Sequence, residues 1–148
     1  METKQYDKEL STQGLEKGKD YLELPVANPK VKAYIPLNYR AAKIIASANI
    51  GASVGHWLVA HPESDWFWKA KTTSHIIIYI IKPRAKCMVS VSTDRKSVDK
   101  FNEFEIFTGG IKNKLLSADA LYDTTGIKIK EFIQANWGTI KKAEQLIA

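Results

Sequence analysis

An α+β fold, a single domain whose small, mainly antiparallel sheet is flanked by helices, follows from three features of this 148-residue chain. The run HIIIYII at 75–81 is almost continuously β-branched and bounded by turn residues, the pattern of a central strand buried on both faces. Directly behind it, KCMVSVST alternates Cys87, Val89 and Val91 with Met88, Ser90 and Ser92, the period of a strand with one wet face. The last third carries apolar residues at helical spacing. Strands in the middle and helices at the end indicate α+β rather than a parallel βαβ sheet.

Residues 1–23 hold scattered apolar side chains (Tyr6, Leu10, Leu15), and Gly14 and Gly18 discourage one continuous helix, so an N-terminal arm or one frayed helix packed on the body is expected there. The body then runs over 24–148. Pro25, Pro29 and Pro36 frame an extended piece, 31–35, expected as a strand near an edge of the sheet. From Asn38 the period changes. Asn38 can cap a helix whose inward stripe is Ala41, Ile44, Ile45 and Ala48 and whose terminator is Gly51; its outward face would carry Arg40, Lys43 and Ser47.

HWLVAH at 56–61 reads as a strand, and the following DWFWK fits either a short helix capped by Ser64 or a strand with Trp66 and Trp68 on one face. A tight connection through Lys82, Pro83, Arg84 and Ala85 joins the two central strands as an antiparallel hairpin. Further on come a helical piece at 97–102 and a short strand FEIF. Three helical pieces close the chain: ADALYDTT between Ser117 as N-cap and Gly126 as terminator, then a stripe of Ile129, Phe132, Ile133 and Trp137, then Ile140, Ala143 and Ile147 after a break at Gly138.

A chain of this length can bury roughly 70% of its unfolded surface without a covalent staple. Cys87 is the single cysteine, which excludes an intramolecular disulfide, and no Cys/His spacing matches a zinc site. The longest apolar run, 76–81, falls far short of the roughly 20 residues that span a bilayer. A cytoplasmic protein with neither membrane partner nor cofactor is therefore expected.

Charge is the most informative compositional feature. Between residues 24 and 93, nine basic side chains face Glu63 and Asp65 alone, a balance of +7; residues 1–23 carry four basic against six acidic (−2) and residues 94–148 nine against eight (+1), giving the overall +6. Trp57, Trp66 and Trp68 lie in the same block. Lysines and arginines beside indole planes are the composition of a single-stranded nucleic-acid platform. The expectation is a non-enzymatic accessory protein in which Arg40, Lys43, Lys69, Lys71, Arg84 and Lys86 meet phosphates while Trp66 and Trp68 offer stacking surface. The same patch suits an acidic protein partner, as in an inhibitor that caps one.

Enzymatic readings have thinner support. His56, His61 and His75 could line a pocket of a small enzyme or nucleotide-binding protein, but none is followed two residues on by the hydroxyl that a paired-histidine phosphoesterase needs. Cys87 sits where a small buried hydrophobe belongs. GASVG lacks the Gly-Lys-Ser/Thr ending of a phosphate loop.

The run GHWLVAHPESDWFW, followed by HIIIYII and KCMVSV, resembles a set of small phage-encoded proteins of unassigned function, which carry a Gly-x-x-Trp-Cys-like strand, an aromatic helical spacer and a Leu-Tyr-Tyr-Ile-Ile-like strand. The resemblance covers about residues 34–92. Leu58 stands where that pattern has its cysteine, so no thiol role is carried over. It implies a phage genome as the origin and the host cytoplasm as the place of expression, and it implies no activity.

Overall fold

The structure, a computed structural model, describes residues 4–47, 75–82, 85–93, 104–108, 114–115 and 117–147. Their elements follow the order α1 (Lys4–Thr12), β1 (Tyr21–Leu24), β2 (Lys32–Pro36), α2 (Tyr39–Ser47), β3 (His75–Lys82), β4 (Ala85–Ser92), β5 (Phe104–Thr108), β6 (Lys114–Leu115), α3 (Ala118–Thr125), α4 (Ile129–Ala135) and α5 (Trp137–Leu146). The six strands form one sheet in sequence order, every neighbouring pair antiparallel. This is an α+β domain.

Strand alternation sorts the core into two clusters. Ile77, Tyr79 and Ile81 of β3 join Tyr34, Met88 and the buried residues of α1 and α2, Tyr6, Leu10, Ala41, Ala42 and Ile45. Ile76, Ile78 and Ile80 instead join Ala33, Ile35, Val89, Val91 and Ile106, under Leu121, Ile129, Ile133, Ile140 and Ala143 of α3–α5. Helices thus cover both faces of β3, which is why it has no polar alternation. The same double cover corrects the reading of β4. Ser90 and Ser92 share the strand face of Met88, expected to be wet, yet all three are buried, because that face lies in the layer packed by α1 and α2. A serine hydroxyl is small enough to sit in an interior, so its alternation imitates a solvated face.

The opening segment, expected as an arm or a packed helix, contributes α1 and the edge strand β1, with Tyr6, Leu10, Leu15 and Tyr21 buried. β2 lies one strand in from that edge. Asn38 caps α2 as its residue type suggests, Oδ1 accepting from Ala41 N at 2.8 Å. Ser117 Oγ likewise accepts from Ala120 N at 3.1 Å, and Gly126, at φ 75°, closes α3 in the left-handed conformation. The last break falls earlier than Gly138. It comes at Asn136, whose Nδ2 donates to Phe132 O at 2.9 Å and whose backbone leaves helical geometry, while Gly138 is inside α5. The expected strand at 56–61, the alternatives for DWFWK and the helical piece at 97–102 lie outside the described residues.

Candidate functional site

Of the cationic residues expected on a binding face, α2 displays two. Its apolar stripe turns Ala41, Ala42 and Ile45 inward and leaves Arg40 and Lys43 exposed. Arg40 also ties α2 to the end of α1, since its Nη2 donates to the carbonyls of Gln13 (3.1 Å) and Gly14 (3.3 Å) just past that helix. Gly14 suits that contact twice over, since its φ is 87° and a Cβ there would stand 2.7 Å from the same nitrogen.

Strand register assembles a larger cationic region at one end of the sheet. Lys32, Ile81 and Lys86 form one row across β2, β3 and β4, and Lys82 pairs with Ala85 beyond it. The next row inward runs Leu24, Ala33, Ile80, Cys87, Thr108, Lys114. No carboxylate occupies these rows. The 25–31 connection, which joins β1 to β2 at this end, contains Lys30 and neither Asp nor Glu, and in the sequence Arg84 lies between Lys82 and Lys86 and Lys112 precedes Lys114. Among the described residues, Glu23, one row further in, and Asp7 of α1 are acids near these rows, and both are engaged. Lys32 Nζ lies 2.5 Å from Glu23 Oε2 and 3.2 Å from Asp7 Oδ2, while Lys17 Nζ lies 2.6 Å from Glu23 Oε1 and 3.6 Å from Asp7. Two lysines and two carboxylates cancel, so this quartet belongs to the fold rather than to a phosphate-facing set.

Titration in the quartet follows its geometry. Burial by itself would raise the Asp7 pKa, but the Tyr34 hydroxyl donating at 2.7 Å, with Lys32 and Lys17, outweighs it and holds the carboxyl below its ordinary value. Burial likewise disfavours the Lys32 ammonium, and bonds to Glu23 and Asp7 more than restore it. Tyr34 is pushed far above the ordinary phenol range by burial first and its bond to Asp7 second.

A groove of about 450 Å³ opens beside the same end of the sheet. One wall is the β1–β2 connection at Pro25, Val26, Ala27 and Asn28; the other comes from α3, α4 and the bend between them, chiefly Tyr122, Ile127, Lys128 and Phe132. Asn28 ties the walls together, Nδ2 donating to Thr125 O at 3.2 Å while Oδ1 accepts from Lys30 N at 3.0 Å. Lys128 Nζ stands 5.9 Å from the centroid of the Tyr122 ring.

Trp57, Trp66, Trp68, Lys69, Lys71, Arg84, His56 and His61 lie outside the described residues, and of His75 and Lys86 only the strand positions, paired with Ser92 and Ile81, are described. Among the described residues no group of three or more His, Cys, Asp or Glu could hold a metal, and no helix is long and apolar enough to cross a membrane. Cys87 is buried, and burial pushes its thiol up to about 12. Disulfide reagents at neutral pH should accordingly label native Cys87 no faster than the protein unfolds, with rapid labelling in denaturant; prompt labelling of the native chain would contradict the packing around β4.

Reading the sequence identified the block of charge but not its focus. Lys30, Lys82 and Lys114 reach the sheet end only through strand pairing, and Tyr122 with Lys128 bounds a groove whose other wall is almost 100 residues away in the chain. The hairpin signal around Pro83 and Arg84 was the one local clue, since it requires Lys82 and Lys86 to be near neighbours. Comparison with known proteins adds nothing further: no family model, curated protein or solved structure matches this chain.

Proposed function

We propose that this protein is a non-enzymatic nucleic-acid-binding domain whose phosphate contacts centre on the cationic end of the sheet and extend to Arg40 and Lys43 of α2, Lys69 and Lys71, with Trp66 and Trp68 as stacking surface. The observation that carries the reading is the register: the rows and the 25–31 connection at one end bring together Lys30, Lys82, Lys86 and Lys114 without a carboxylate among them, and the sequence carries Arg84 and Lys112 in the segments that link these strands. Such a field draws polyanions and releases their counterions on binding. Neutralisation of Lys17 and Lys32 by Asp7 and Glu23 supports the reading as well, because it removes the nearby acids that would oppose a phosphate.

Titrating a labelled single-stranded oligonucleotide at several salt concentrations tests it. Affinity should fall steeply, the logarithm of the binding constant declining by about 0.7 per contacted phosphate for each tenfold rise in salt. A flat titration at low ionic strength overturns the proposal. Capture of an acidic protein from nuclease-treated bacterial lysate, with no oligonucleotide binding, would move the same surface to a host-protein partner.

A further inference from the structure

We infer that the groove between the 25–28 connection and the α3–α4 bend seats an unpaired nucleobase of a strand whose phosphates lie on the neighbouring cationic end; the inference rests on the function proposed above. Its first support is the lining. At about 450 Å³ the groove lies within the roughly 300–1,000 Å³ of small-ligand clefts. Val26, Ile127 and Phe132 give it apolar walls, and Tyr122, an aromatic residue 48% exposed, lines it as well. An unburied ring of that size is what a base can stack upon.

The second support is position. The 25–31 connection contributes both the groove wall and Lys30, and Asn28 binds the Lys30 backbone with one side-chain atom and the end of α3 with another. A base in the groove therefore has its phosphate beside the cationic end without a long span of chain between. Inside the groove itself Lys128 and Glu131 balance. Charge thus draws the strand to the rim, while the groove selects for a planar, largely apolar group. A base paired in a duplex is not free to enter, so the groove should favour single strands, whereas the cationic end alone would hold either.

Fluorescence anisotropy with a fluorescein-labelled oligothymidine of about ten nucleotides, and with its duplex, separates these contributions. Tyr122→Ala should weaken oligothymidine binding by about tenfold, Tyr122→Phe should not, and duplex affinity and the salt slope should stay as in the wild type. Ala27→Glu, which places a carboxylate at an exposed position of the opposite wall, should produce the same selective loss without touching Tyr122. If both Tyr122→Ala and Ala27→Glu bind oligothymidine as tightly as the wild type while binding stays salt-dependent, the groove inference is overturned and the phosphate surface stands. If the wild type binds neither probe at low salt, the phosphate surface falls and the groove inference falls with it.

Discussion

Replacing Asp7 with alanine should lower the folding free energy by about 2–3 kcal/mol, read as a shift in the denaturant midpoint at unchanged slope. Asp7 reaches from α1 to both β2 and the loop before β1. Its Oδ1 accepts from Tyr34 OH and its Oδ2 faces Lys32 and Lys17. Truncation leaves the hydroxyl of a fully buried tyrosine without its partner, and an unsatisfied buried group costs more than the bond itself was worth. Lys32 keeps Glu23, so the charge left behind is still paired. Asp7→Asn should cost less than alanine because an amide oxygen can still accept from Tyr34. Tyr34→Phe combined with Asp7→Ala should recover part of the loss, and strict additivity in that cycle would contradict the proposed coupling.

Acid should unfold the protein through the same group. The Asp7 pKa is lowered in the fold, as are those of Asp20, held chiefly by the Glu16 backbone N–H, and Glu144, where Lys141 and Thr93 outweigh burial. A depressed carboxyl pKa means that the unfolded chain binds more protons in the acid range. The stabilisation is therefore complete above the ordinary values, 3.8 for aspartate and 4.5 for glutamate, and is lost as pH falls through the lower folded values. Asp7→Asn should flatten the acid limb of the stability curve and leave its slope near neutrality unchanged.

The largest functional effect is expected from the sheet end. Glutamine at Lys30, Lys82 and Lys86 together should weaken binding to single strands by about a hundredfold near 0.1 M salt and reduce the salt slope by about two. Each lysine that contacts one phosphate contributes about 0.7 to that slope, so three contribute about two decades when salt falls tenfold from 1 M. Lys142→Gln serves as the control. Lys142 is exposed on α5 and adjoins Lys141, which reaches the carbonyl of Thr93 at the far end of β4. The control should bind as the wild type does. A loss per removed charge as large in the control as in the triple variant would mean that net charge, rather than the gathered end, drives association.

How much of this was legible beforehand depends on whether a feature is local. Asn38, Ser117 and Gly126 act on backbone groups within four residues, so residue type alone announces them as caps. β3 is unambiguous because its apolar run needs cover on both sides wherever that cover comes from. β1 escaped notice because YLEL has only four residues, and its two buried ends flank two half-buried ones, which gives no period to recognise. β6 has two residues and is a strand only because Phe107 and Thr108 pair with it. Lys32 shows the difference most clearly: in the sequence it is one of nine cations in a basic block, and in the fold it is neutralised by carboxylates from α1 and β1.

The class of fold, the central hairpin, the caps at Asn38, Ser117 and Gly126 and the concentration of positive charge between residues 24 and 93 follow from the sequence alone, because propensity, period and composition act over a few residues or over none in particular. Only the tertiary structure decided that both faces of the sheet are covered, that α1 is locked to β2 through Asp7, and that lysines from separate strands meet at one end beside a groove bounded by Tyr122. These depend on which segments pair and pack at long range, and that choice comes from burying two apolar faces of one sheet at once, a condition no single window of the chain contains.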